Sequence, residues 1–271
     1  MGSMKEAPLQ GVGGLDLPVL KHYDIPFFGS LIPSETQVVQ GRLNAIVVLH
    51  DDQGNEYVHK RRRNNIDILD HISEELRIIG FPALGGSFSF RSVAEESRFM
   101  NDAASIDLRV VAPVVVGPDF ILLPFIEGKD LKDSLSVSDF DPLKPVLRDI
   151  FSAHSKGIVY GDRWPRNLIV KPDGTIIQID FDLNIAGHYA KELELAQFLY
   201  GVIRDSADKK SAVANLLSAV PPQATQGYNL AIIERFMMKY IQGYHPQEAS
   251  QDDTHIIMES LRLLVHGLNL K

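Results

Sequence analysis

The stretch from Asp162 to Asp182 constrains the fold more than any other part of the chain. Asp162 and Asn167 stand five apart in Tyr160-Gly161-Asp162-Arg163-Trp164-Pro165-Arg166-Asn167, and thirteen residues after the Asn comes Asp180 in Ile179-Asp180-Phe181-Asp182. Between them, Leu168-Ile169-Val170 and Thr175-Ile176-Ile177-Gln178-Ile179 are short apolar runs separated by Lys171-Pro172-Asp173-Gly174. Pro, Asp and Gly in that order are turn residues, and apolar runs of this length on either side predict two strands joined by a tight hairpin. A hairpin returns the chain to its starting end, so Asn167 and Asp180 are expected to meet.

An Asp, an Asn five residues on and a second Asp at this interval resemble the catalytic arrangement of protein-kinase-like phosphotransferases. The chemistry explains the spacing. Phosphoryl transfer needs an acceptor hydroxyl held in line with the γ-phosphate of ATP and a carboxylate that takes or orients its proton, the role expected of Asp162. Mg2+ needs hard oxygen ligands, and Asn167 and Asp180 provide two. Ile169, in the strand after Asn167, is taken as a nucleotide contact.

Composition permits this reading. At 271 residues, 45% hydrophobic and 23% charged, the chain can build one two-lobed domain with a large core. A net charge of −8 argues against an extended nucleic-acid or anionic-membrane surface, although Lys60-Arg61-Arg62-Arg63 is locally basic. The absence of cysteine excludes disulfides, thiolate metal sites and cysteine nucleophiles, and the nine histidines are not paired at zinc spacing. Apolar runs such as Val110-Val111-Ala112-Pro113-Val114-Val115-Val116 fall far short of the ~20 residues of a membrane span. With no signal peptide read at the start, a cytoplasmic location is expected; Met1-Gly2-Ser3-Met4 reads as an expression scar, which sets Gly2 aside as a lipidation site.

The expected fold is α+β: a two-lobed protein-kinase-like fold with an N-lobe of antiparallel sheet plus helices and a mainly helical C-lobe. Residues 1–34, rich in Gly and Pro, read as a partly irregular arm, 35–126 as the N-lobe and 127–271 as the C-lobe. From Thr36 the texture is strand-like through Gln37–Gln40, Ala45–Leu49 and Glu56–Lys60, with a turn at Asp51–Asn55. Gly41, between the first two runs, stands where a kinase-like chain covers the phosphates, and it could equally serve a hairpin turn. Val58 and Lys60 share a face because strand side chains alternate. The resemblance implies that Val58 touches adenine and Lys60 the phosphates, with Arg61 as a rival.

Helical spacing runs from Ile66 to Ile79 with Gly80 as the stop, and again from Val93 to Ala103. On the second helix Glu96, rather than adjacent Glu95, is expected to reach Lys60, as the regulatory-helix glutamate does in kinases. Ile121–Leu131 reads as a strand entering a hinge. The resemblance assigns adenine recognition there to the Pro124 carbonyl and the Ile126 N–H, and ribose contact to Asp130. Further helices are expected from Leu143 to His154, with His154 packed in the core, and over Leu193–Val202, Leu230–Tyr244 and Ile256–Leu268.

The likeness is closer to small atypical members of that superfamily: lipopolysaccharide Kdo/heptose kinases, aminoglycoside-type small-molecule kinases, RIO kinases and the small kinase of the tRNA threonylcarbamoylation complex. Tyr160-Gly161-Asp162 is similar to their His-Gly-Asp, Asp180-Phe181-Asp182 to an Asp-Phe-Asp, and Glu194-Leu195-Ala196 to an Asp-Leu-Ala. The departures are Tyr160 for His, a scarcely recognisable glycine loop, and Trp164 where protein Ser/Thr kinases carry a phosphate-neutralising lysine. Either Arg163 or Arg166 supplies that charge, or the site does without it. Only a dozen residues separate Asp180 from Leu193, too few for a peptide platform, so the acceptor is expected to be a small molecule or glycan. Its pocket is expected among the helices after residue 205, where Glu234, Asp252 and Asp253 are unassigned acids. An atypical protein kinase acting on a protein acceptor, a pseudokinase and an AMP transferase are the competing readings.

Overall fold

The computed structural model describes residues 23–25, 29–40, 44–62, 66–221, 223–244 and 251–270; residues 1–22 of the arm and Gly41 lie outside them. Strand structure begins earlier than Thr36, with β1 (Tyr23–Ile25) and β2 (Gly29–Gln40), and continues through β3 (Asn44–His50) and β4 (Glu56–Arg62). There follow α1 (Ile66–Ile79), β5 (Ser87–Phe90), α2 (Val93–Ser105), β6 (Val115–Val116) and β7 (Phe120–Pro124). The six-stranded antiparallel sheet has the order β1-β2-β3-β4-β7-β6. One apolar cluster on the sheet joins Leu31 of β2, Val47 and Leu49 of β3 and Leu122 of β7.

Beyond β7 come β8 (Lys129–Asp130), α3 (Leu131–Ser136), α4 (Leu143–Ser155), β9 (Leu168–Val170), β10 (Ile176–Gln178) and β11 (Leu183–Ala186). Helices α5 (Ala190–Asp205), α6 (Lys209–Ala219), α7 (Leu230–Tyr244) and α8 (Gln251–Asn269) complete the chain. The predicted hairpin is present: β9 and β10 pair with Ile177 opposite Ile169, and the Gly174 N–H closes the turn on Lys171 O. The arrangement is the expected α+β one, with an antiparallel sheet in the N-lobe and a mainly helical C-lobe.

The C-lobe core forms around α5, which is buried on nearly every face from Glu192 to Ile203 and is apolar enough to be so. Against this core α4 lays Leu143, Val146, Leu147 and Ile150, each fully buried. Burial of that kind stabilises by about 1.5–3 kcal/mol per side chain, an upper estimate because the unfolded chain is itself partly collapsed. One element crosses the sequence boundary between the lobes. Leu76, Ile79 and Phe81 of α1 and the turn after it are buried in the same core as Phe236 and Tyr240 of α7, because the apolar stripe of α1 faces that helix.

Candidate active site

The hairpin brings the expected residues to one cleft. Asn167 Nδ2 donates to the Asp162 backbone carbonyl at 2.9 Å and to Asp162 Oδ2 at 3.1 Å, while Gln197 Nε2 of α5 donates to Asp162 Oδ1 at 2.9 Å. Both carboxylate oxygens of Asp162 are therefore oriented. With its amide nitrogen committed to Asp162, Asn167 keeps Oδ1 for another partner. Asp180, with φ at 63°, sits where the chain turns out of β10 and leaves its side chain 41% exposed at the cleft.

Lys60 is the centre of charge. Its Nζ lies 2.7 Å from Glu96 Oε1, 2.8 Å from Asp180 Oδ1 and 2.9 Å from Asp182 Oδ1. Burial works against its ammonium, but the three carboxylates outweigh burial and the pKa is raised. The rivals separate cleanly: Arg61 points outward to Asp119 at 2.7 Å, and Glu95 forms the capping box of α2 with Ser92.

Three further residues of this cluster escaped the sequence reading. Asp182, only 5% exposed, contacts Lys60 at 2.9 Å, Arg62 NH2 at 2.8 Å and the Asn44 amide at 2.5 Å. Arg62 also reaches Glu96 Oε2 at 3.2 Å. Arg62 follows Lys60 by two on β4, and Asp182 follows Asp180 by two, so period-two spacing was a usable signal for both. The Asn44 contact, made across 138 residues, left none.

The carboxylates of Glu96, Asp180 and Asp182 approach within 4.8 Å of one another. Lys60 and Arg62 already stand among them, so they form an ion-pair cluster rather than a cation cage. For a metal ion the fitting donors lie toward the cleft: the uncommitted Oδ1 of Asn167 and the second oxygen of Asp180. Burial raises the Asp162 pKa and the Asp180 charge adds to the shift; burial likewise raises that of Asp180, reinforced by Asp182 against the opposing Lys60. Two carboxylates held reluctantly ionised beside a free amide oxygen suit a hard dication.

The two expected substitutes for the missing lysine differ. Arg163 is fully buried and turned away from the cleft, donating to Gln178 Oε1 at 2.7 Å, Ile179 O at 3.0 Å and Asp180 O at 2.8 Å, between the rings of Tyr160 and Phe181. It braces the segment that carries Asp180. Arg166 is exposed and lowers the pKa of Asp162, opposing the burial that raises it. Tyr160, in place of histidine, is buried against Phe181 and donates its hydroxyl to Asp149 at 2.8 Å.

Behind the cleft, Gly161 N–H donates to Glu194 Oε2 at 2.8 Å, and Glu194 Oε1 meets His154 Nε2 at 3.0 Å. Gly161 has φ at 118°, and a Cβ there would lie 1.9 Å from the Leu183 carbonyl, so only glycine fits. His154 is a buried hydrogen-bonded residue, in keeping with its expected place in the core.

At the hinge, Tyr57 faces Pro124 and the Phe125 N–H donates to Glu56 O at 3.0 Å. The antiparallel alternation then turns the Pro124 carbonyl away from β4. Val58 faces Leu123 of the same ladder. Ile126 follows β7, and Ile169 packs beside the hinge at Gly128, where a Cβ would lie 2.6 Å from its Cγ2. Asp130 caps α3, accepting from Asp133 N–H at 2.8 Å. Glu234 lies on α7, away from this cluster in the sequence and partly buried, whereas the side chains of Asp252 and Asp253 on α8 are outside the described residues.

No protein-family model matches the chain, and no curated protein sequence matches it. Among solved structures, the Rio2 kinase from Chaetomium thermophilum is similar with a TM-score of 0.48 and 13% identity, over 86% of this chain and 72% of that one. Amicoumacin kinase hAmiN in complex with AMP-PNP, Ca2+ and Ami gives a TM-score of 0.46 and 12% identity, over 87% and 91% of the two chains. The Rio2 kinase-ADP/Mg2+-phosphoaspartate complex gives 0.43 and 14%, over 89% and 73%. No helix among the described residues is long and apolar enough to cross a membrane.

Proposed function

We propose that the chain is an ATP- and Mg2+-dependent phosphotransferase that moves the γ-phosphate to a hydroxyl of a small molecule or glycan. The observation that carries this reading is the convergence of Lys60, paired to Glu96 and Asp180, with an Asp162 whose two carboxylate oxygens are held by Asn167 and Gln197. In this reading Lys60 meets the ATP phosphates, Asp162 orients the acceptor hydroxyl and takes its proton, and Arg166 stands at the mouth as the remaining cation. Asn167 and Asp180 would hold the metal ion, which when bound offsets charge on the phosphates. Val58 and Ile169 flank the adenine, with the Pro124 carbonyl and the Ile126 N–H as its hydrogen-bonding edge, and the carboxylate of Asp130 lies toward the ribose.

The complete set of Lys60, Asp162, Asn167 and Asp180 speaks for turnover over a pseudokinase. The acceptor class is supported by the stretch after Asp180, which pairs as β11 with β5 and enters α5 at Ala190, leaving no long loop to grip a peptide. The test is incubation with γ-labelled ATP, Mg2+ and a panel of sugars, aminoglycosides and nucleosides, with the product weighed by mass spectrometry. Asp162→Ala is expected to lose at least ~100-fold in turnover, the scale of a positioned proton acceptor, while ATP affinity is retained. Unchanged turnover removes Asp162 from its role, and phosphate on a protein serine with every small acceptor unmodified overturns the acceptor class.

A further inference from the structure

Arg163 is the largest of the fully buried side chains among the described residues, and its burial needs a physical reason. A guanidinium does not give up its proton in a folded protein, and burying a charge without a counterion is costly. Among the described residues no carboxylate stands within ion-pair distance of it. Its charge is received instead by three neutral oxygens and by the rings of Tyr160 and Phe181, whose centroids lie 5.3 and 5.1 Å from Cζ.

The three oxygens belong to consecutive residues. NH1 donates to Gln178 Oε1 at 2.7 Å, and NH2 alone donates to both Ile179 O at 3.0 Å and Asp180 O at 2.8 Å. Successive carbonyls of an extended strand point to opposite sides, so two of them meet one nitrogen only where the backbone reverses between them. That reversal is the left-handed φ of 63° at Asp180, a conformation that a residue with a Cβ holds when its surroundings fix it. With this carbonyl turned inward to Arg163, the Asp180 side chain reaches outward to Lys60 Nζ at 2.8 Å. The same segment is held from its other side, where the Ile179 N–H donates to Asn167 O at 3.0 Å. The main chain of Arg163 serves Asp162: its N–H donates to Gln197 Oε1 at 2.6 Å, and the other end of that amide holds Asp162 Oδ1 at 2.9 Å.

We propose that Arg163 is a positioning residue: its guanidinium holds the turn at Asp180 and so fixes the Asp180 carboxylate relative to Asp162. The role rests on the reading of Asp180 as a metal ligand given above. A methionine in its place fills much of the same space but leaves three buried oxygens without their donor.

The test compares Arg163→Met and Arg163→Lys with the wild-type chain by calorimetric titration with ATP, with and without Mg2+. A second reading is taken by NMR from the backbone carbon shifts of Asp180 with neither metal nor nucleotide present. R163M is expected to lose about 10–100-fold in Mg2+-dependent ATP affinity, the usual cost of removing the partner that orients a metal ligand, while metal-free affinity is retained. Its Asp180 shifts are expected to leave the left-handed range. R163K, whose ammonium can still donate to a carbonyl but cannot span to Gln178, is expected to lose less. Wild-type Asp180 shifts in R163M, or equal losses of metal-free and Mg2+-dependent affinity, overturn the proposal. If R163M does not fold, R163K decides: weakened Mg2+-dependent binding with unaltered metal-free binding supports the role, and wild-type binding in both overturns it. Should the wild-type chain bind no ATP under either condition, the phosphotransferase reading fails separately, and the Asp180 shifts alone decide whether Arg163 holds the turn.

Discussion

Asp182→Asn tests whether the second acid of the Asp-Phe-Asp segment holds the two lobes together. In the folded protein this carboxylate takes Asn44, Lys60 and Arg62, with its side chain 7% exposed, so water screens little of the interaction. Breaking a buried ion pair by removing one partner costs about 3–5 kcal/mol, chiefly because the other charge is stranded. Here neither cation is fully stranded. Lys60 keeps Glu96 and Asp180, and Arg62 keeps Glu96 and the Arg91 carbonyl at 2.9 Å. An Asn at 182 also still accepts from Asn44. Loss of two charge-assisted contacts with those partners retained gives roughly 2–3 kcal/mol. At about 2–4 °C per kcal/mol for a chain of this order, melting is expected to fall by roughly 5–10 °C, read by circular dichroism at neutral pH and low salt. The same change removes a charge that raises the Asp180 pKa, so the Asp180 carboxyl should titrate lower in the variant. An unchanged melting temperature together with an unchanged Asp180 titration would refute the assignment.

Three other outcomes follow from the site. Asp180→Asn is expected to weaken Mg2+-dependent ATP binding while barely altering metal-free binding, because an anionic oxygen holds a hard dication better than an amide does; calorimetric titration with and without Mg2+ distinguishes the two. Burial, with Asp180 nearby, raises the Asp162 pKa, so a carboxyl-carbon NMR titration of the free chain should place its midpoint above the ~3.9 of an ordinary aspartate. A raised carboxyl pKa means the folded state binds the extra proton, so this group's contribution to stability is full below the unfolded pKa and is lost as pH rises through the folded one; a midpoint at or below the ordinary value contradicts the burial argument. Gly161→Ala places a methyl group 1.9 Å from the Leu183 carbonyl in a backbone conformation alanine rarely adopts, and should melt well below wild type or fail to accumulate as folded protein; a wild-type melt would rule out the close packing of these two loops.

What the sequence revealed, and what it withheld, divides by the range of the interactions. Asp162, Asn167 and Asp180 were legible because a hairpin of fixed length is a local device whose turn residues announce it. The helices with long apolar stripes, α4 and α7 above all, were legible for the same reason. Helices α3 and α6 are short, with six and eleven residues, and present too little periodicity to declare themselves. Ser87-Phe88-Ser89-Phe90 does alternate like a strand, yet its partner β11 lies almost a hundred residues away, and four alternating residues promise a strand only when a partner is known. Arg91 illustrates the limit: nothing about an arginine beside a serine indicates that it will donate to the Tyr160, Phe181 and Leu183 carbonyls at 3.2, 2.8 and 2.7 Å.

The pairing of β5 with β11 has a mechanical consequence. β5 leads through Arg91 directly into α2, which carries Glu96, and β11 is the exit from the segment that carries Asp180 and Asp182. The Arg91 N–H also donates to Asp182 O at 2.8 Å, extending the seam by one more bond. A helix tethered in this way cannot swing outward and carry its glutamate off Lys60 unless a strand pair and the carbonyl bonds of Arg91 are undone together. On the proposed phosphotransferase reading, Glu96 would thus stay on Lys60 whether or not a substrate is bound.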